Sequence, residues 1–337
     1  MKHIFYLLSA ALTVLAACSD SKQKEAENLN NERVNLILDT DLGPDYDDVG
    51  AMAVMHVLAD SGQVNILAVM SSNHNEQVIP CIDVINTYYG RPDIPLGAPK
   101  SDGGVYDGDG HNPSWAQLLV EKYPHKALST SDAEDAVKLY RRILGQAEDR
   151  SVVICTVGFF TNMRDLLQSE PDEFSELNGR QLVGKKVKRL VSMAGGFPEG
   201  REYNVWKDAS ASYEAINNWP TEIIFSGWEI GDPIRTGLKV SQTSGDQNPI
   251  KDVYAIALPQ DNPEGRQSWD LTAVLVAIKG AAPFFGVERG TISVKEDGSN
   301  TWTEEENGRH YRLVETNAPE AIAEILDNYL LEAPQKK

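Results

Sequence analysis

The segment that decides the fold runs from Val34 to Asp48 and reads VNLILDTDLGPDYDD. Its first part, Val34–Leu38, is a mostly apolar run of the kind that forms a strand in a parallel sheet covered by helices on both faces. The run leads directly into five aspartates: Asp39, Asp41, Asp45, Asp47 and Asp48. Open α/β sheets bind ligands at the carboxyl ends of their parallel strands. The segment therefore indicates both a fold class and the position of a site.

Short apolar runs and segments with helical periodicity continue to alternate along the chain. Further strands are predicted at Val64–Met70, Val152–Thr156, Val187–Met193 and Thr221–Phe225. Helices are predicted at Asp47–Asp60, Glu76–Tyr89, Asp132–Gln146, Asn162–Gln168, Ser210–Asn217, Asp270–Lys279 and Ala318–Leu331. Gly90–Pro113 and Ser241–Asn248 are predicted to be loops. This alternation predicts an α/β fold: a single three-layer domain with a mostly parallel central sheet.

The charge balance argues against a nucleic-acid partner. The 337 residues include 50 acidic and 31 basic side chains, which give a formal net charge of −19. Binding to nucleic-acid phosphates needs clustered Lys and Arg side chains that displace counterions. Because 41% of the residues are hydrophobic, an ordinary fraction for a globular protein, we expect an acidic enzyme or a small-molecule binder.

The N-terminus is typical of a bacterial lipoprotein. Residues 1–17 read as a signal peptide, because an uncharged apolar run of fourteen residues, Ile4–Ala17, is too short to span a bilayer. The run ends before Cys18 in Leu-Ala-Ala-Cys, which resembles a lipidation motif. Residues 18–33 are polar and are predicted to form a flexible tether to a catalytic domain at 34–337. We expect a lipid-anchored protein of the cell envelope that contacts the membrane only through its lipid. Because Ser19 follows the cysteine, the outer membrane is the expected location.

The two remaining cysteines are predicted to be free. Cys155 lies in the apolar run Ser151–Val157, where a buried thiol is the favoured state. An oxidising compartment would also permit a Cys81–Cys155 disulfide, which is the less favoured alternative.

Five neighbouring carboxylates point to a metal site, because they repel one another strongly unless a cation or protons intervene. Oxygen ligands suit a hard cation, with Ca²⁺ first and Mg²⁺ second, and the lack of His or Cys argues against zinc. Helix capping by Asp47 or Asp48 would explain only part of the cluster. An EF-hand loop is excluded, because the positions of its glycine and glutamate hold Pro44 and Gly50.

Several motifs, in order, resemble those of the inosine–uridine nucleoside hydrolases. The resemblance covers Val34 to Lys279 and begins with the Asp39–Asp48 loop followed by a helix. The later matching segments are Met70-Ser-Ser-Asn73, Thr156-Val157-Gly158-Phe-Phe-Thr161-Asn162, Met193-Ala-Gly195-Gly196, Glu202-Tyr203-Asn204 and Trp269-Asp270.

The resemblance implies hydrolysis of an N-glycosidic bond with a Ca²⁺ that holds the ribose hydroxyls and a water. It assigns Asp41 as general base and metal ligand, and it assigns Asp48, Asp270 and the carbonyl of Val157 as further ligands. The loop is two residues longer than the usual family loop, so either Asp45 or Asp47 could be an additional ligand. The residues implied to bind ribose are Asp39, Asn73, Glu202 and Asn204.

Trp269 stands where many members of the family have a histidine that protonates the leaving base. The purine-preferring branch also has a tryptophan there, so the resemblance implies purine nucleosides stacked on Trp269, with Trp115 or Trp228 as the other stacking face. His111, in a glycine-rich loop, or His74 could supply the missing acid. The family is generally oligomeric, so a homo-oligomer is expected.

Three other functions stay open at this point. The protein could hydrolyse another N-ribosyl compound, or it could bind nucleosides without turnover as a lipoprotein. An α/β phosphatase of the haloacid-dehalogenase type would use Asp39 as nucleophile, although Gly43 replaces the Thr or Val that such enzymes carry at that place.

Overall fold

A computed structural model describes residues 33–43, 45–101, 104–245 and 247–335. Cys18, the predicted signal peptide and all of the tether before Arg33 lie outside the described residues. Among the helices of the described residues, none has the length and apolar character that crossing a bilayer requires.

The core of the molecule is one large sheet, which in the described residues has eleven strands. Its strands, in spatial order, are β4 (Glu134–Asp135), β3 (Leu96–Ala98), β2 (Val64–Ser71), β1 (Val34–Thr40), β5 (Val152–Thr156), β6 (Val187–Met193), β8 (Glu222–Ser226), β13 (His310–Glu315), β11 (Phe285–Val294), β12 (Asn300–Glu304) and β7 (Glu199–Gly200). Neighbouring strands from β4 to β13 pair in parallel, and the last three pairings are antiparallel. Two further short strands, β9 (Arg235–Thr236) and β10 (Arg266–Gln267), form a separate ribbon.

Helices cover both faces of this sheet. They are α1 (Asp47–Asp60), α2 (Val78–Tyr88), α3 (Trp115–Lys122), α4 (Ala136–Gln146), α5 (Thr161–Gln168), α6 (Gly179–Lys186), α7 (Tyr203–Lys207), α8 (Ala209–Asn218), α9 (Trp228–Gly231), α10 (Leu238–Ser241), α11 (Pro249–Asp261), α12 (Trp269–Lys279) and α13 (Pro319–Leu331). One hydrophobic cluster contains the buried side chains of α1, α2, α3, α11, α12 and α13, and a second contains those of α4, α5, α6 and α8.

Strand β1 shows why the fold has three layers. Leu36 and Leu38 belong to the first hydrophobic cluster, whereas Ile37 between them belongs to the second. Successive side chains of a strand point to opposite faces, so a run that is apolar at every position needs helices on both sides. The predicted three-layer α/β fold with a mostly parallel central sheet is confirmed.

The five predicted strands and the seven predicted helices are all present, within a few residues of their predicted ends. The prediction that Gly90–Pro113 is entirely loop is wrong, because it contains β3. Strands β11, β12 and β13, which make the antiparallel side of the sheet, were not predicted. Strand β11 alternates between buried and exposed residues and carries charges, so it lacks the continuous apolar run of the parallel strands.

The two remaining cysteines are buried free thiols, as predicted. Cys81 Sγ donates a hydrogen bond to the carbonyl oxygen of Ala116 at 3.5 Å. Burial raises the pKa of both thiols far above the ordinary value, so these side chains act as apolar core groups.

Candidate active site

A cavity of about 360 Å³ opens where β1, β5 and β6 end, at the carboxyl edge of the sheet. Its lining combines acidic, aromatic and amide side chains with one arginine: Asp41, Asp45, Asp48, Val157, Met193, Glu202, Tyr203, Asn204, Trp228, Arg266, Trp269 and Asp270. A pocket of a few hundred Å³ with convergent polar groups is the usual form of a small-molecule site.

Three structural elements bring carboxylates to the floor of this cavity. Asp41 follows β1 directly, Asp48 lies in the first turn of α1, and Asp270 is the second residue of α12. All three are buried. One oxygen from each of Asp47, Asp48 and Asp270 lies within 4.8 Å of the others, which is close enough for the three oxygens to share one cation.

The electrostatics of this floor favour a bound cation. Burial, and then the charges of Asp48 and Asp45, raise the pKa of Asp41 well above its usual range. Burial and then the charge of Asp47 raise the pKa of Asp48 to about 7. Asp48 Oδ1 accepts hydrogen bonds from the Thr40 hydroxyl and the Leu42 amide, but Asp48 Oδ2 is buried and has no hydrogen-bond partner among the described residues.

A buried oxygen of this kind costs free energy unless something binds it. The set of oxygen donors around it suits a hard divalent ion such as Ca²⁺. The residues present therefore fit a metal site at this floor.

Arg266 supplies the one positive charge in the lining. Its Nε and Nη2 donate to Asp47 Oδ1 at 3.0 and 2.9 Å, and its Nη2 also lies 2.7 Å from Asp45 Oδ1. Its guanidinium carbon lies 5.0 Å from the ring centroids of both Tyr46 and Trp269. Asp47 Oδ2 accepts from the backbone amide of Asp270 at 3.1 Å. Both oxygens of Asp47 are thus already bonded, which distinguishes it from Asp48.

Val157 reaches the cavity because the loop after β5 passes very close to the loop after β1. A Cβ on Gly158 would lie 2.5 Å from the Asp41 amide nitrogen and from Ser72 Oγ, so only glycine fits there. Asn204 Nδ2 donates to the Val157 carbonyl oxygen at 3.2 Å. The carbonyl and the amide side chain therefore lie side by side in the lining.

Glu202 caps α7 from inside the cavity. Its carboxylate accepts from the amides of Gly195, Asn204 and Val205 at 2.8 to 3.2 Å. Burial nevertheless raises the pKa of Glu202 to about 7. Such a carboxylate is fixed in orientation, as a residue that holds a sugar hydroxyl needs to be.

Two tryptophans form the aromatic part of the cavity. The rings of Trp228 and Trp269 are tilted by 31° with centroids 6.4 Å apart, and Trp269 Nε1 donates to the Trp228 carbonyl oxygen at 2.8 Å. Trp228 is 48% exposed, so its ring is available to a ligand. Trp115 is fully buried in the first hydrophobic cluster and does not line the cavity. Of the two candidates for the second stacking face, the structure brings only Trp228 to Trp269.

Two residues implied to bind ribose lie behind the cavity. Asp39 is fully buried and accepts from Tyr140 Oη at 2.8 Å and from Asn162 Nδ2 at 3.0 Å. Burial raises the pKa of Asp39 to about 7. Asn73 Nδ2 donates to the carbonyl oxygens of Asp41 and Asp107, so its amide holds the loop after β1. Neither side chain lines the cavity, and Asp39 is not placed to be the nucleophile of a phosphatase.

The two candidate acids also lie outside the cavity lining. His111 Nδ1 lies 2.7 Å from Asp109 Oδ1, and its Nε2 lies 3.2 Å from Asp261 Oδ2. A Cβ on Gly104 would lie 2.6 Å from His74 Nε2, so His74 packs against that backbone.

Arg266 and Tyr203 were not predicted as site residues. Tyr203 lies inside the matched motif Glu202-Tyr203-Asn204, and its hydroxyl donates to Asp107 Oδ2 at 2.5 Å. Arg266 precedes Trp269 by three residues, so its proximity to the last motif was the only signal for it in the sequence.

Residues 36–324 match the family model described as inosine-uridine preferring nucleoside hydrolase. The chain belongs to this family. It is therefore an N-glycosyl hydrolase, and the family supports N-ribosyl nucleosides as its substrates. No curated protein sequence matches the chain.

Solved nucleoside hydrolases share the fold at low sequence identity. A plant nucleoside hydrolase is 17% identical, with a TM-score of 0.66, over 89% of this chain and 99% of that one. A purine-preferring ribonucleoside hydrolase from Gardnerella vaginalis is 16% identical, with a TM-score of 0.65, over 88% and 98%. An inosine-uridine preferring nucleoside hydrolase from Bacillus anthracis is 16% identical, with a TM-score of 0.59, over 88% and 97%.

Proposed function

We propose that the protein is a Ca²⁺-dependent hydrolase that converts purine ribonucleosides to free base and ribose. The observation that carries the proposal is one cavity with a buried, unpartnered carboxylate oxygen of Asp48 at its floor and two tryptophan rings in its lining. The first feature suits a divalent ion that holds a sugar, and the second suits a flat purine.

The metal would be held by Asp41, Asp48, Asp270 and the carbonyl oxygen of Val157. One oxygen of Asp47 also lies within 4.8 Å of Asp48 and Asp270, and it could be a further ligand. Because both oxygens of Asp47 already accept hydrogen bonds from Arg266 and the Asp270 amide, we assign it first to positioning Asp270, and we assign Asp45 to holding Arg266. When bound, a calcium ion would hold two ribose hydroxyls and lower the pKa of a water.

Asp41 is proposed to remove the proton of the attacking water. Its carboxylate lines the cavity beside Asp48 and Asp270, so it could take the proton of a water held at the same floor. Glu202 and Asn204 line the same cavity and are proposed to accept from and donate to the ribose hydroxyls. The pair would favour ribose, since a sugar that lacks a hydroxyl would lose a hydrogen bond to one of these fixed and buried groups.

Trp269 and Trp228 are proposed to bind the purine between their rings. Two parallel rings that enclose a third must lie about 7 Å apart, twice the usual contact distance between carbon atoms. The rings now have centroids 6.4 Å apart and planes tilted by 31°, so they would have to move apart and become more parallel, and Trp228 is the more exposed of the two. Stacking would raise the basicity of the ring nitrogen of the departing base, so that solvent could supply the proton that a histidine gives in other members.

We also propose that the protein is a lipoprotein of the cell envelope, attached through Cys18. The Leu-Ala-Ala-Cys sequence and the polar segment after it support this proposal. Mass spectrometry of the membrane fraction would find a lipid on Cys18, and the Cys18→Ser variant would be released into the soluble fraction. A wild-type chain without lipid would show that the assignment is wrong.

The first experiment is chromatography of the products from inosine, adenosine, guanosine, uridine and cytidine, each with calcium or with a chelator. Free purine base that appears only with calcium would support the whole proposal. Equal cleavage of the pyrimidine nucleosides would overturn the stacking argument and leave the hydrolase. If no base is released from any of the five, a binding titration with the same nucleosides separates a non-catalytic binder from a hydrolase of another N-ribosyl compound.

A further inference from the structure

A second cavity, of about 580 Å³, lies at the opposite end of the sheet, where the parallel strands begin. Four basic residues line it: Arg33, Lys188, Arg189 and Lys279. Arg33 immediately precedes β1, Lys188 and Arg189 are the second and third residues of β6, and Lys279 is the last residue of α12. We call this set of four residues the basic pocket.

The basic pocket has no counter-charge of its own. Among the described residues, none of its four cations lies within 4.0 Å of a carboxylate, and no acidic side chain lines the cavity. Lys279 Nζ donates to Gln63 Oε1 at 2.5 Å, and Arg33 Nε donates to the Gly62 carbonyl oxygen at 3.2 Å. Arg189 Nε is buried without a hydrogen-bond partner among these residues.

Unpaired cations gathered in one place are unexpected in a chain with a net charge of −19. The carbonyl end of α12 also lies here, and its dipole by itself would favour a cation. An anion in the pocket would offset the mutual repulsion of the four cations and could accept from the buried Arg189 Nε. Arginine and lysine side chains together are typical donors to phosphate oxygens.

The position of the pocket indicates where such phosphates would come from. Arg33 is the last residue of the predicted tether, and sixteen positions separate Cys18 from Val34. A segment of this length can extend at most about 55 Å at ~3.5 Å per residue. A lipid on Cys18 would therefore keep the amino end of the sheet close to a membrane surface, where phospholipid headgroups present phosphates.

We propose that the basic pocket docks on the phosphates of anionic phospholipid headgroups. The cavity of the active site lies at the carboxyl ends of the same strands and would then face away from the bilayer. The overall negative charge opposes this contact only weakly, because screening at physiological ionic strength limits electrostatic forces to about 8 Å. The proposal rests on the proposed lipid anchor at Cys18, which places the pocket near a membrane. It does not rest on the proposed hydrolase function, since it uses none of the residues in that cavity.

The test uses residues 33–337, which contain every strand and helix described above and no lipid. Sedimentation with vesicles of phosphatidylcholine, with and without one third phosphatidylglycerol, measures docking without the anchor. We expect binding to the anionic vesicles at 50 mM salt, release at 500 mM salt, and no binding to pure phosphatidylcholine. If the protein stays in the supernatant with anionic vesicles at low salt, the proposal is wrong.

A charge-reversal variant tests whether the basic pocket makes the contact. Lys188→Glu with Lys279→Glu is expected to weaken the binding at least tenfold, because each basic residue near an anionic surface contributes about a fivefold factor. The matched control, Arg180→Glu with Lys295→Glu, makes the same change of net charge on exposed side chains outside the pocket and should retain most of the binding. Circular dichroism and nucleoside hydrolysis of both variants report whether the fold is intact.

Equal loss in the two double variants would overturn the proposal, because it would show a general charge effect. Binding of inorganic phosphate by the wild type without binding to anionic vesicles would also overturn it, because the ligand would then be a free anion. Sedimentation measures vesicle binding and does not require catalysis. The docking proposal can therefore be tested even if the hydrolase proposal fails.

Discussion

The two ends of the central sheet carry opposite charge in different surroundings. At the carboxyl end, Asp41, Asp48 and Asp270 are buried, and an arginine bonded to neighbouring carboxylates is the one cation in the lining. At the amino end, Lys188 and Lys279 are exposed, and in the described part of the chain no carboxylate lies within 4.0 Å of either side chain. Charge in a buried, water-poor site interacts far more strongly than charge at the surface. The carboxyl end is therefore suited to chemistry, whereas the amino end is suited to weak and salt-sensitive contact.

The largest effect is expected from Asp41→Asn. Loss of a general base typically lowers the rate by two to four orders of magnitude, so we expect kcat to fall at least a hundredfold. The metal-free variant should at the same time be more stable than the wild type at pH 7, because one of several repelling buried carboxylates is gone.

Steady-state release of base and thermal unfolding in chelator check the two parts of this prediction. Asp93→Asn, at an exposed side chain paired with Lys126, is the control and should change neither quantity. Full activity in the Asp41→Asn variant would show that Asp41 is not the general base.

The next largest effect concerns Arg266, the counter-ion of the carboxyl end. Arg266→Gln leaves the carboxylate of Asp47 buried without its cation, which typically costs ~3–5 kcal/mol of unfolding free energy. Arg312→Gln is the matched control, because Arg312 pairs with the half-exposed Glu288 and such pairs contribute about 0–1 kcal/mol. Urea denaturation at pH 7 measures both variants. Similar losses of unfolding free energy in the two variants would mean that the buried Arg266–Asp47 pair is no more important for stability than an exposed pair.

A smaller effect is expected from Trp228→Leu. Stacking of a base on an aromatic ring contributes about 1–3 kcal/mol, so kcat/KM for inosine and guanosine should fall about tenfold or more. The value for uridine should fall less, because a pyrimidine has a smaller ring, and it serves as the internal control. The fold should be unaffected because the ring is 48% exposed. An equal loss for uridine would show that Trp228 supports the cavity without stacking on the purine.

The smallest effect is a gradual dependence of metal-free stability on pH. Burial raises the pKa of Asp48 and of Glu202 to about 7, so the folded protein binds these protons more tightly than the unfolded chain does. The protonated forms of these two groups contribute fully to the free energy of unfolding below the ordinary carboxylate pKa, near 4. This contribution is lost as the pH rises through about 7.

In chelator, the midpoint of thermal unfolding should therefore decrease by a few degrees between pH 5 and pH 8. Calcium should reduce this decrease by stabilising the charged carboxylates. A midpoint that rises with pH in chelator would contradict the assignment.

Much of the fold could be predicted because its central strands are apolar at every position. Val152–Thr156 and Val187–Met193 were predicted with the bounds that the structure has. Strands that are buried on both faces show as short, mostly apolar runs, which are easy to delimit in the sequence. Helix α11 was not predicted, because Pro259 lies inside it, near its end. A proline inside a helix removes a backbone donor, so local signals argue against the helix and only the tertiary packing supports it.

The acidic floor of the site could be predicted from spacing, but the direction of each side chain could not. Asp39 and Asp41 are two residues apart, yet Asp41 lines the cavity and Asp39 bonds to Tyr140 behind it. Arg266 could not be assigned because its partners, Asp45 and Asp47, lie more than two hundred residues away in the chain. Such pairing depends on how α1 and α12 pack, which no local pattern encodes.

The outermost strands of the sheet have a consequence for self-association. The sheet ends on one side in Glu134–Asp135 and on the other in Glu199–Gly200, two strands of two residues each. A long, uncharged edge would offer its free backbone groups to a strand from another molecule, whereas very short and acidic edges discourage such pairing. The protein can therefore carry a wide sheet without extending it into intermolecular strand assemblies. Pairing of sheet edges is therefore a disfavoured route to a homo-oligomer, and contacts through helices and loops are favoured.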